Sequence, residues 1–360
     1  MKKTIKERLE IGFEGYWNIT GVGIVDRYNY LIVANWHDEH PEKFETKSGE
    51  NSWTALLRVD MQNERIQRKV IYGSIGRTHC DGGIINGKKE AFFSSYAGLT
   101  YHVDYANDTF SSEGDLKTYT LGARDITLIG SHFYLAYTGN QIYRRDGIHK
   151  WTDISQAPRK YSKKIEHGGT KSVSGFSEKE IYFSGRDGSL WYYDGKEWER
   201  IKGMPKNMHF HYVECCEDAK VYAIDSHGEG VAVGRYGKFE FIPIEDKSPI
   251  KGSSVYDLVT FKGKIYLTTG SDIHVLEGNK WVDANIPDTY GGIERLAAKD
   301  GIMLIATPYS LKIYDGKETY TLYGEETETE RLFLQAGIQS SMELQDKGAK
   351  LIEALESIKK

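Results

Sequence analysis

A phrase of about 42 residues returns seven times along this chain, and that beat narrows the available folds more than any other feature. Its clearest copy is Ile181-Tyr-Phe-Ser-Gly-Arg-Asp-Gly-Ser-Leu-Trp-Tyr-Tyr-Asp-Gly-Lys-Glu-Trp-Glu-Arg-Ile201. It reads as a strand, a turn at Arg186-Asp187-Gly188, a second strand, a turn at Asp194-Gly195, and a third strand carrying Trp198. Asp-Gly between apolar runs is a strong hairpin signal, because the turn requires positive φ at its central positions. The phrase recurs at Asp146-Gly147 before Trp151, at Glu277-Gly278 before Trp281 and at Asp315-Gly316 before Tyr320. Weaker copies turn at Asp60, Asp104 and Tyr236-Gly237, so successive turns lie 38 to 48 residues apart. Each turn pair has room upstream for two more strands, as in Ile126–Ile129 and Phe133–Tyr137.

Four strands in each 42-residue unit is the period of a propeller blade. The expected architecture is therefore all-β: a seven-bladed β-propeller over residues 18–324, with a lead-in over 1–17 and an acidic linker and C-terminal helix over 325–360. Composition agrees where it is informative. The 360 residues include 38 Gly but only 7 Pro, as many tight turns between hydrogen-bonded strands demand. The 25 Tyr suit strands whose rings pack between blades. Beyond the ring, Ser340 and Glu343 form a capping-box signature, and Leu344, Leu351, Ile352, Leu355 and Ile358 fall at roughly helical spacing. Which end closes the ring is left open, because all seven units look complete.

The phrase resembles the blades of bacterial seven-bladed propellers related loosely to the WD40 and kelch-like groups. Propellers host hydrolases, lyases, lectins and interaction platforms, so the resemblance implies a fold and leaves function to the site. Similar repeats occur among cytoplasmic immunity proteins encoded beside polymorphic toxins. That resemblance implies a cytoplasmic protein that binds a toxin or effector directly, without a cofactor, the partner being a basic domain if charge guides it. The charge itself, 47 basic against 52 acidic residues for a net −5, offers nothing to nucleic acid or an anionic membrane. No apolar run is long enough to span a bilayer. Cys80, Cys215 and Cys216 form neither a disulfide framework nor a zinc motif and are expected to be reduced thiols.

Candidate site residues follow from the fold. Loops entering the innermost strands and loops joining second to third strands gather on one face around the central channel. Seven of the eleven histidines map there, at 37, 40, 79, 167, 209, 211 and 227. The longest interruption of the beat, residues 36–53, is charged and flanked by tryptophans, a composition suited to a binding rim. Trp36, His37, Asp38, Glu39, His40, Phe44 and Trp53, with Arg124, Asp257 and Arg295 at other entries, are the expected partner contacts. An alternative assigns His79, Asp81, His167, His209 and His211 to a divalent metal in a lyase or hydrolase, with His209-x-His211 pointing both rings the same way from a strand. A third reading, a carbohydrate-binding lectin, rests on the Trp and Tyr supply. No phosphate-binding loop and no nucleophile elbow is present.

Overall fold

Among the described residues, twenty-eight strands from Trp17 to Tyr323 form seven four-stranded antiparallel sheets, each built from four consecutive strands. The computed structural model describes residues 17–36, 53–72, 78–116, 122–162, 170–287, 289 and 292–324. The expected C-terminal helix and most of the lead-in lie outside them. The described helix is α1, Gln156–Ser162, in the connection between blades 3 and 4. No helix among the described residues is long and apolar enough to cross a membrane.

The inner strands of blades 1 to 7 are β1 (Trp17–Asp26), β5 (Thr78–Ile85), β9 (Ala123–Ile129), β13 (Thr170–Ser177), β17 (Phe210–Cys215), β21 (Asp257–Phe261) and β25 (Arg295–Lys299). Second strands such as β14 (Glu180–Gly185) and β26 (Ile302–Ala306) are buried along their whole length. This is why residues 181–183 and 302–306 read as unbroken apolar runs without alternation. Outer strands such as β20 (Lys238–Pro243) are largely solvated, which explains their mixed composition.

Turn chemistry differs between the two Asp-Gly sites of the clearest repeat. Asp187 and Gly188 both have positive φ, 56° and 62°, as expected for a two-residue hairpin turn. At Asp194-Gly195 only the glycine does, and the aspartate acts through its side chain. Its Oδ1 accepts the N–H groups of Lys196 and Glu197, both at 2.8 Å. Asp315 repeats this with Lys317 and Glu318, and Asp104 with Ala106 and Asn107. The N–H of Glu197, then that of Lys196, holds the Asp194 carboxyl below its ordinary value. The repeated aspartate is thus a turn-closing acceptor.

Apolar packing lies between blades. Seven buried clusters fill the seven blade-to-blade gaps, including one that joins Ile24, Leu57 and Val59 of blade 1 to Leu304, Ala306 and Leu311 of blade 7. That contact closes the ring without strand exchange among the described residues. Two hydrogen bonds reinforce it: Ile19 N donates to Pro308 O at 2.8 Å, and Arg295 Nε to Thr20 O at 3.0 Å. The blade tryptophans serve the same gaps. Trp198 is buried edge-on against Phe183, and its Nε1 donates to Ile154 O at 2.7 Å, leaving blade 4 for the exit of blade 3. Trp198→Phe keeps most of the packing and removes that donor, so urea unfolding is expected to show a loss of about 1 kcal/mol. An unchanged midpoint would mean that the hydrogen bond adds nothing to the interface.

Candidate functional site

Inner strands enter the channel through a repeated irregularity. In blade 3, Ala136 pairs with Asp125 and Tyr137 with Ala123, so Arg124 is an extra residue with no partner in the ladder. Lys171 in blade 4, His211 in blade 5 and Thr20 in blade 1 are extra at the corresponding point. A bulge breaks strict alternation and re-aims the side chain it inserts. Three successive blades therefore present Arg124, Lys171 and His211 at the channel mouth, where all three line a cavity of about 420 Å³.

Below this cationic layer the inner strands carry carboxylates: Asp81, Asp125, Glu214 and Asp257 all line the same cavity. Three of them bind neighbouring blades. Asp81 Oδ2 accepts Leu128 N at 2.8 Å, Asp125 Oδ2 accepts Val173 N at 2.9 Å, and Asp257 Oδ2 accepts Leu296 N at 3.0 Å. Ser174 Oγ plays the same part toward Cys215 N at 3.1 Å. Inner strands of adjacent blades are not hydrogen-bonded as a sheet, so these bonds satisfy backbone donors that would otherwise face the channel. Burial raises the Asp125 carboxyl to about 7, with repulsion from Asp257 and Asp81 adding to it. Burial raises Glu214 well above its ordinary value, and Asp125, Asp257 and Asp81 push it further. One cation enters this layer from blade 7, where Lys299 Nζ lies 3.1 Å from Asp81 Oδ1.

The rim carries aromatics. Tyr96, Tyr256 and Tyr309 are 37%, 40% and 49% exposed, on loops of blades 2, 6 and 7. The Arg124 guanidinium stacks 5.0 Å from the Tyr96 ring centroid. Arg295 is tied to backbone instead, through Thr20 O, Glu294 O at 2.5 Å and Tyr256 O at 3.3 Å.

The expected residues thus separate. Arg124 stands at the mouth beside an exposed tyrosine. Asp257 and Arg295 are there too, each holding blades together. Trp53 opens β3 (Trp53–Asp60) and packs half-buried against the core that closes the ring. Trp36 ends β2 (Asn29–Trp36), paired with Trp17; its side chain, together with His37, Asp38, Glu39, His40, Phe44 and His167, lies outside the described residues. Of the proposed metal set, His79 and Asp81 line the channel, His209 lines a second cavity, and His211 lines both. Among the described residues, no three His, Cys, Asp or Glu side chains come together to hold a metal. His209 precedes β17 and His211 is its bulge, so strand alternation does not relate them, yet both border the second cavity. The exposed tyrosines were missed, although their places in rim loops were a sufficient signal.

Comparison with known proteins adds a relative to this geometry. The chain is similar to an immunity protein. It shares 26% identity over 319 residues with Immune protein Tsi7 of Pseudomonas aeruginosa, covering 84% of this chain and 95% of the relative. No protein-family model matches the chain. Among solved structures, virginiamycin B lyase from Staphylococcus aureus superposes with a TM-score of 0.63 at 10% identity, over 82% of this chain and 93% of that chain. YCF48 bound to D1 peptide gives 0.57 at 13% identity, over 82% and 92%. At these identities the structural likeness concerns the propeller fold.

Proposed function

We propose that this chain is an immunity protein that neutralises a toxin by binding it, working in the cytoplasm. The near end-to-end match to Immune protein Tsi7 carries the reading. The channel-mouth face supports it and supplies the surface. Arginine and tyrosine are the residue types that carry most binding energy at protein interfaces, and here Arg124, Tyr96, Tyr256 and Tyr309 crown one rim. No observation on the described residues favours lyase or lectin chemistry over this reading.

The test expresses, one at a time, the genes that flank this chain's gene, and a toxin gene among them is the partner to use. Its product alone is expected to arrest growth, and co-expression of this chain to restore growth through a complex that purifies intact. Arrest without rescue, or rescue without complex, overturns the proposal. At the rim, Tyr256→Ala is expected to weaken the complex about tenfold by calorimetry, or roughly 1.4 kcal/mol. The hydrogen bonds that Tyr256 accepts use its backbone carbonyl, which the substitution retains. Undiminished affinity in both Tyr256→Ala and Arg124→Ala would move the interface to another face.

A further inference from the structure

A second cavity, of about 570 Å³, opens on the mouth face between blades 4, 5 and 6. Its lining is charged with one sign. Lys171, Arg186, His209, His211 and His227 all border it, with serine hydroxyls and Tyr256, and no carboxylate is among the described residues that line it. Four features of the fold bring these groups together. Lys171 and His211 are the inserted residues of corresponding bulges on neighbouring blades. Arg186 stands exposed on the turn between β14 and β15 (Leu190–Tyr193), and its side chain makes no hydrogen bond or ion pair among the described residues. His227 is exposed on the matching turn of blade 5, its Nδ1 2.9 Å from Ser226 Oγ. Beneath them the buried Asp225 accepts His209 N at 2.8 Å through Oδ1 and His227 N at 2.9 Å through Oδ2, fixing both histidines to one support. The Nδ1 of His209 is buried and without a hydrogen-bond partner.

Two permanent cations and three imidazoles border one open space, so a negative group entering it meets a field of favourable sign. The Arg186 guanidinium and the Nδ1 edge of His209 can each meet an acceptor oxygen, and charge-assisted hydrogen bonds to an oxyanion are the strong ones. The described lining residues also offer a divalent cation no carboxylate or thiolate to neutralise it. We propose that this cavity is an oxyanion site, taking a phosphate or a carboxylate group. The group has two sources: a phosphate-bearing small molecule, or an acidic side chain carried in by a protein partner. The inference stands apart from the toxin reading, because the isolated chain can be titrated.

The experiment follows the histidine ring resonances of the full chain while inorganic phosphate or a hexaglutamate peptide is added in a non-coordinating buffer. Saturable shifts at His209, His211 and His227 are expected, with half-saturation near ~1 mM for a single charge-assisted contact set. Arg186→Ala, an exposed substitution that leaves the core intact, is expected to weaken binding about fivefold, and Lys171→Ala with Arg186→Ala at least tenfold. Phosphate binding alone assigns the site to small phosphorylated ligands. Peptide binding tighter than phosphate assigns it to an acidic segment of a partner. No saturable shift with either titrant, or shifts unchanged in the double variant, overturns the proposal.

Discussion

Gly23→Val is expected to cost the protein about 3–4 kcal/mol, enough to lower its urea midpoint sharply or to leave it unfolded at ambient temperature. A β-carbon at Gly23 would sit 2.8 Å from the carbonyl oxygen of Cys80 and 3.2 Å from its Sγ. Gly21 faces Thr78 O at the same 2.8 Å, so two glycines on β1 let the inner strand of blade 2 come to backbone distance. The strand cannot slide away to make room. Ile24 is buried in the core shared with blade 7, and Val25 in the core shared with blade 2. The obstacle is a backbone carbonyl of an ordered strand, which relaxes far less readily than a side-chain tip. Gly23→Ala is expected to lose about half as much, since its single methyl meets the same oxygen. Equal stability of Gly23→Val and the parent chain would mean that blades 1 and 2 do not approach this closely.

The propeller could be read from residue types because its period is local. Each blade announces itself through apolar second strands and an aspartate or glycine at the outer turn, all within about 42 residues. What escaped reading depends on partners elsewhere in the chain. Nothing in the composition of Ala123-Arg124-Asp125 says that Arg124 will be left out of the ladder; the register against Ala136 and Tyr137 decides it. Nor does a carboxylate on an inner strand reveal its task. Asp81 was read as a metal ligand and Asp257 as a partner contact, and each carboxylate accepts a backbone N–H in the next blade, 47 and 39 residues ahead. Acids on a propeller's inner strands invite a catalytic reading, while here the unpaired edges between blades give them a structural use. The mouth differs, since its bulges turn outward-reaching cations away from those edges.

That inner layer sets a pH dependence, and Asp125 is, with Glu214, one of its two strongly raised carboxyls. Burial, with Asp257 and Asp81 repelling from across the channel, raises its carboxyl to about 7 from an ordinary 3.8. The sign follows from proton counting. Between these values the folded protein keeps a proton that the unfolded chain has released, so stability falls as pH rises. The contribution is fully present below about pH 4 and is lost as pH passes through 7. With 1.36 kcal/mol per unit as the upper slope, and channel water moderating it, roughly 2–3 kcal/mol should disappear between pH 5 and pH 8. Asp125→Asn separates charge from geometry. Its amide oxygen can still accept Val173 N and Ser172 Oγ, now at 2.9 and 3.0 Å from Oδ2, but it has no proton to lose. The variant is expected to match the parent within about 1 kcal/mol at pH 5 and to exceed it by roughly 2 kcal/mol at pH 8 in urea unfolding. Repulsion on Glu214 should ease at the same time, since Asp125 is the largest charge acting on it. A variant with the same pH slope as the parent would show that Asp125 is already ionised in the fold. One that is weaker at pH 8 would show that its charge, rather than its oxygen, joins blades 3 and 4.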